Sequence, residues 1–439
     1  MTVTRSTASD RRRERLRDRP RRRPVLLLAL LLGLGATALA QPPAAQARQR
    51  ADDPVRALTR AAHPLRTTDP AAEDTDDLRA IGRMIGDAKV VGVGEATHGS
   101  HEFIANKDRL FRYLIEQKGF TTFALEANWG AGLRINDYVL HGKGNARQIM
   151  KEEFQNAYRF WNNQEYLDLI EWMRAYNTHH AEKVQFMGDD VGYAGPELFD
   201  RVTGYAARRC PDLLPRLTAL YQGLRPTPGT SMDAWMTAYL AKPLAERRDL
   251  AARAGEALDL LRRQRPGEDR AEFAWAVQHA RAISQVASLT AHDLDTAEGS
   301  RAAMRFRDQS MADNTAWWQR RTGDKVLLSA HNAHVAYESD DPANYPKMQG
   351  AFLREQFGED YLNVRLTFDA GAFNATGPSG GEPAVHTVGP AEPGSNEHVL
   401  DQVPYRDYYL DMPAAPTCCR ASPPSTRGCA PRPAPAWTP

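Results

Sequence analysis

The sequence predicts an α/β protein: a parallel sheet flanked by helices, with an all-helical lobe inserted into it. Three observations carry that expectation. Short apolar runs recur along the chain, each of strand length and bounded by polar or glycine residues. Helical periodicity fills the intervals between them, as parallel strands require. From 196 to 317 the strand signal stops while long helical stretches continue.

The elements follow in chain order. Residues 1–40 read as an export signal: an Arg-rich segment ends in "RRRP", an apolar run follows from Val25 to Ala40, and "ALA" precedes Gln41. That run is 16 residues, short of the roughly 20 a spanning helix needs. Secretion, by the general or the twin-arginine route, with no stable membrane anchor after cleavage, is the expectation. Residues 41–72, rich in Ala, Pro and Arg, read as a flexible lead-in. The first part of the core, 73–195, opens with a helix over "EDTDDLRAIGRMIGDA", acidic at its start and apolar at Leu78, Ile81, Met84 and Ile85. "KVVGVGEA", "FTTFALEA" and "VQFMGDD" then read as buried strands. Their apolar runs are continuous, which fits strands covered on both faces. The helical insertion, a cap, spans 196–317. "KVLLSAHN" and the more alternating "YLNVRLTFD" supply further strands in the second part of the core, 318–412. A Gly/Pro-rich stretch at 371–395 reads as a loop. The last 27 residues, 413–439, hold eight Pro and read as a disordered tail.

Charge and cysteine narrow the function. Residues 1–40 carry ten Arg against three acidic residues, and the remainder holds 46 basic against 52 acidic residues. The basic character belongs to the leader, so nothing points to nucleic-acid binding. The four Cys are Cys210, Cys418, Cys419 and Cys429, with neither a disulfide framework nor a CxxC metal pattern.

Each buried strand ends in ionisable residues: Glu95 with His98 beyond it, then Glu126, then Asp189 and Asp190, then His331 and His334 in "SAHNAH". Parallel α/β sheets bind ligands outside the carboxyl ends of their strands, so these residues converge on one candidate site. In the helix after the first strand, Phe103, Leu110 and Leu114 form a stripe, and Lys107 falls within about 40° of its centre. An inward lysine needs a partner, and the neighbouring carboxylates are the candidates; the alternative is a snorkelling side chain. No G-x-S-x-G elbow, Walker A loop or HExxH pattern occurs. The economical scheme is attack by water, with a neutral His as base, a carboxylate orienting it, and cations or imidazoles stabilising the oxyanion.

"GVGEATHGSHEF", "LEAN", "FWNNQEYLDLIEWMRAYN", "FMGDDV", "RDQSMADN" and "SAHNAHV" occur in this order, and together they resemble the erythromycin esterase family. That resemblance implies a parallel α/β core with a helical lobe, hydrolysis of a small-molecule ester or lactone, macrolides among them, and no required metal or other cofactor. It implies His98 as the general base and Glu95 as its partner, with Glu126, His331 and His334 completing the pocket. Lys107 stands where the family's macrolide esterases carry Arg, keeping the charge without the planar fork. Trp129 and Trp161, with Phe160, are candidates for a hydrophobic substrate wall, and Asp190 for a polar contact to substrate; core packing is the alternative for the aromatics. Two other readings of the histidines stay open. His331 and His334 form an HxxH pair that suits a metal-dependent hydrolase, and His98, His331 or His334 could ligate haem or iron in an exported binding protein.

Overall fold

The computed structural model describes residues 54–377 and 380–412. The export leader read at 1–40 and the tail read at 413–439 lie outside these described residues, as does the first part of the lead-in.

The described chain opens with α1 (Pro54–Ala61) and the three-residue β1 (Ala62–Pro64). β1 pairs antiparallel with Tyr408–Leu410, so both ends of the described chain meet in one short ribbon. The first βα units follow: α2 (Arg79–Ile85), β2 (Val90–Glu95), α3 (His101–Lys118), β3 (Phe120–Asn128), α4 (Trp129–His141), α5 (Ala146–Glu153), α6 (Gln164–His179) and β4 (Gln185–Asp190). Among the described residues from 196 to 322 there is no strand. The lobe there consists of α7 (Pro196–Arg209), α8 (Leu214–Leu220), α9 (Met232–Leu240), α10 (Leu244–Arg262), α11 (Arg270–Leu289) and α12 (Ala297–Thr322). α12 starts where Thr296 caps Gly299 N and stops at Gly323, whose φ of 82° ends the helix. The chain returns to the sheet in β5 (Lys325–His331), α13 (Asn332–Val335), α14 (Gln349–Phe357) and β6 (Tyr361–Arg365). β7 (Gly371–Gly377), β8 (Gly380–Val388), α15 (Asn396–Asp401) and β9 (Tyr408–Leu410) complete it.

The five-stranded sheet has the order β4-β3-β5-β2-β6, with all pairs parallel. Alternate residues of each strand feed two cores. Val326, Leu328 and Ala330 of β5 pack with α7, α11, α12 and α14, while Leu327 packs on the other face with α2, α3 and α6. α3, which follows β2, therefore covers one face, and α13 and α14, which follow β5, cover the other. The chain thus turns to opposite faces after the neighbouring strands β2 and β5, which opens a crevice between their carboxyl ends. Glu95 and His331 are register partners there. Close approach of α13 to β2 depends on Gly94: a Cβ at that position would lie 2.4 Å from Asn332 Oδ1.

The 371–395 stretch, expected as loop, instead carries β7 and β8, which pair as antiparallel strands. Its glycines and Pro383 break the alternation by which a strand is recognised, while pairing between the two strands supplies the backbone partners. Asn374 N donates to Gly99 O at 3.0 Å. A Cβ at Gly99 would lie 2.0 Å from Asn374 O, so β7 docks beside His98 only because that neighbour is glycine. No helix among the described residues is long and apolar enough to cross a membrane.

Candidate active site

At the end of β2 Glu95 is 2% exposed and holds two partners. Its Oε1 lies 2.9 Å from His98 Nδ1, and its Oε2 meets the Lys107 ammonium. The lysine does not snorkel. Lys107 is 1% exposed, and Nζ also donates to Ser329 Oγ at 2.9 Å, which in turn lies 3.1 Å from Tyr166 OH. Burial pushes the Lys107 ammonium well below its ordinary pKa, while Glu126 pulls it back up.

His98 follows β2 on the loop before α3. A carboxylate on Nδ1 fixes the tautomer: Nδ1 carries the proton and Nε2 keeps its lone pair. No protein partner faces Nε2 among the described residues, and the side chain is 29% exposed. Its ring is packed edge-on by Trp161, centroids 4.5 Å apart, with Phe160 at 6.2 Å and His331 at 5.4 Å. Burial lowers the His98 pKa; Glu126 opposes that, while the cations His334 and Arg307 add to it. The imidazole is therefore neutral at neutral pH.

Glu126 lies within the register shift that separates Leu125 from Asn128 on β3, and such irregularities re-aim side chains. Its Oε1 accepts from Arg307 Nη2 at 2.9 Å and lies 3.2 Å from His334 Nε2; its Oε2 accepts from the His331 backbone N–H at 2.9 Å. Burial alone would raise its pKa, but His334 and Arg307 hold the carboxyl well below the ordinary range.

The other two histidines differ from His98. His331 caps α13: its Nδ1 accepts from Ala333 N at 3.2 Å and its Nε2 sits 3.3 Å from Ala96 O. Both nitrogens are thus committed to backbone, and burial, with His98 second, pulls the pKa down to about 3. His334 lies between two carboxylates, with Nδ1 2.7 Å from Asp308 Oδ1 and Nε2 near Glu126. Burial opposes charge there, yet Asp308 and Glu126 prevail and push the pKa up to about 10. Nε2 also lies 3.0 Å from Arg307 Nη1. With His334 protonated, that is a contact between two cations, and Glu126, which touches both, offsets it.

Arg307 was not identified in the sequence as a site residue. It projects from α12 into the strand ends, donating from Nε to Asp190 Oδ1 at 2.9 Å and from Nη2 to Asp190 Oδ2 at 2.5 Å. Tyr158 OH adds a bond to Asp190 Oδ2 at 2.8 Å. The signal for Arg307 and Asp308 was their presence in "RDQSMADN", on a helix read as cap.

Glu95, His98, Lys107, Glu126, Asp190, Trp161, His331 and His334 thus converge at the strand ends. Trp161 also donates its indole N–H to Glu126 O at 2.8 Å. Asp190 is fully buried and engaged with Arg307, so it reaches the pocket through that arginine. Trp129 points elsewhere: its ring packs against Trp275, Trp317 and Trp318, and its N–H donates to His279 Nδ1 at 3.2 Å. Among the described residues no three His, Cys, Asp or Glu side chains are grouped to hold a metal ion.

A sequence model described as erythromycin esterase matches residues 115–433. The chain belongs to the erythromycin esterase family. Erythromycin esterase type II of Escherichia coli is 24% identical over 330 residues, covering 68% of this chain and 73% of the relative. A Bacillus cereus protein of solved structure superposes with a TM-score of 0.74 at 29% identity, over 83% of this chain and 86% of its own. A mutant of the erythromycin esterase EreC in an open conformation shares the fold, with a TM-score of 0.61 at 19% identity, over 78% of this chain and 86% of its own. The protein is thus a hydrolase of the erythromycin esterase family, and membership implies hydrolysis of esters in small molecules.

Proposed function

We propose that the protein hydrolyses a carboxylic ester or macrolactone with water activated by His98, without a metal. His98 Nε2 takes a proton from water as its oxygen attacks the carbonyl carbon. The C=O bond opens to an oxyanion, which Arg307 and the protonated His334 stabilise. The oxyanion then collapses, the C–O bond to the alcohol breaks, and imidazolium His98 returns its proton to the departing alkoxide. Products are a carboxylic acid and an alcohol, joined in one chain when the substrate is a lactone.

The observation that carries this reading is the division among the three histidines. His331 has both nitrogens on backbone groups and His334 is held between carboxylates, whereas His98 keeps Nε2 for a proton while Glu95 orients the other nitrogen. The same engagement of His331 and His334 supports a metal-free route, because the HxxH pair does not offer two free donors.

The test is an ester and lactone panel, erythromycin included, read by mass gain of one water. His98→Asn should reduce turnover by about 10²–10⁴-fold, the usual size of general-base catalysis, and Glu95→Gln by less. Losses in the double variant should be strongly non-additive. Folded His98→Asn protein with full turnover would refute the scheme. Export through the 1–40 leader belongs to the same proposal; secreted material should begin near Gln41, and an intact Met1 on it would argue against cleavage.

A further inference from the structure

The helical lobe carries a cleft of about 500 Å³ between α7 and α11, within the size range of small-molecule sites. α7 lines it with Glu197, Arg201, Tyr205 and Arg208, spaced to share one helix face. α11 answers with Glu272, Trp275 and His279, again on one face. None of these residues takes part in the chemistry at the strand ends.

His279 sets what the cleft can hold. It is 6% exposed, and its Nδ1 accepts the indole N–H of Trp129. An indole nitrogen only donates, so Nδ1 presents its lone pair and the ring proton resides on Nε2. Burial and Arg201 bring its pKa to about 3, so the ring stays neutral. Among the described residues nothing accepts from Nε2–H, and the ring lines the cleft.

The charges around it already face opposite charges. Arg208 and Arg209 reach Glu272 at 2.9 and 2.8 Å, Arg225 holds Asp200, Arg134 approaches Glu197 at 3.4 Å, and Arg201 reaches Asp137 at 2.7 Å. An anion would meet the cleft's carboxylates, and a simple cation would leave the His279 donor without an acceptor. A neutral ring bearing hydroxyls meets both needs. Its hydroxyl groups accept from His279 and the guanidiniums and donate to the carboxylates, while its C–H groups meet the part of Trp275 that lines the cleft.

We propose that this cleft is a saccharide-binding site, separate from the hydrolytic centre. Trp129, at the head of α4 directly after β3, holds His279 in place through its indole N–H.

The full chain should be titrated with maltotriose, cellotriose and triacetylchitotriose, following tryptophan fluorescence and heat of binding. At least one should bind saturably with one site per chain and perturb tryptophan emission. Arg208→Met, at an exposed position, and His279→Phe should each weaken that saccharide by about tenfold, the scale of one hydrogen bond. His98→Asn should bind it as the unaltered protein does. Failure of all three sugars to bind would overturn the proposal. So would affinity unchanged in both Arg208→Met and His279→Phe, affinity lost in His98→Asn, or saturable binding of choline or phosphate that these two lobe variants abolish.

Discussion

Arg307→Met separates a scaffold role from a chemical one. The substitution keeps an apolar stem but removes three charge-assisted hydrogen bonds, two to Asp190 and one to Glu126. Asp190 is fully buried and Glu126 is 5% exposed, so neither carboxylate can be rescued cheaply by solvent. Removing one partner of a buried ion pair costs about 3–5 kcal/mol. The Arg307 side chain is 20% exposed, which places the expectation near the lower end, about 3 kcal/mol. The cost should also depend on pH with a defined sign. Without the cation, burial and mutual repulsion raise the folded-state pKa of one of the two carboxylates above its unfolded value. The variant then takes up a proton on folding, so its deficit should shrink toward pH 5 and grow as pH rises.

Urea unfolding followed by circular dichroism at pH 5 and pH 8 measures both quantities, and kcat/KM on the preferred ester measures the third. Loss of an oxyanion donor costs about 10²–10³-fold. Arg307→Lys, which keeps charge but not the fork, should fall between. A loss of stability below about 1 kcal/mol, independent of pH and with turnover intact, would show that Arg307 neither holds the carboxylates nor meets the oxyanion.

Two further outcomes follow. Lys107→Met should leave Glu95 Oε2 buried without its ammonium, cost about 3 kcal/mol, and lower kcat with little change in KM, because Lys107 reaches the reaction only through Glu95; unaltered kcat and stability would reject that positioning role. The profile of kcat/KM against pH should have an acid limb below 6.5, since the His98 pKa is lowered, and an alkaline limb about pH 10 from His334. Protonating His98 removes the base as pH falls, and deprotonating His334 removes a cation as pH rises. Because its folded pKa is raised, His334 contributes stability that is complete below its unfolded pKa of about 6.5 and lost as pH climbs through about 10. A flat profile from pH 6 to 11, the range that should contain the alkaline limb, would contradict the cationic assignment.

The sheet was legible because each buried strand is a continuous apolar run that stops at a charged residue, and the strand ends carry most of the site. Lys107 was legible for a local reason: its helix places it on the stripe of Phe103, Leu110 and Leu114. Arg307 and Asp308 were not. Their neighbours on α12 are mixed in polarity, and a charged pair in such a helix reads as a solvated face until the helix is known to lean on β3 and β4. Trp129 misled in the opposite way. Three residues after Glu126 it reads as a pocket wall, but it begins α4, and its indole turns into the lobe, where Trp275, Trp317 and Trp318 receive it. β1 and β9 offered no pattern at all, since three residues such as Ala62, His63 and Pro64 become strand only by finding their partner.

Roles among the histidines show where a sequence stops short. Three imidazoles of one chemical type lie around a single pocket, yet each is set apart by what its nitrogens touch. His331 is held by two backbone groups and stays neutral, unable to take a proton without losing the cap on α13. His334 is held by two carboxylates, which push its pKa up to about 10. His98 is held on one side only. Assignment of base and cation in an active site comes from environments that push pKa values apart. The environment of the base was local and that of the cation was not: Glu95 lies three residues from His98, whereas Asp308 and Glu126 reach His334 from α12 and β3. The base could therefore be read from a short stretch of sequence, but the cation that balances it required the fold.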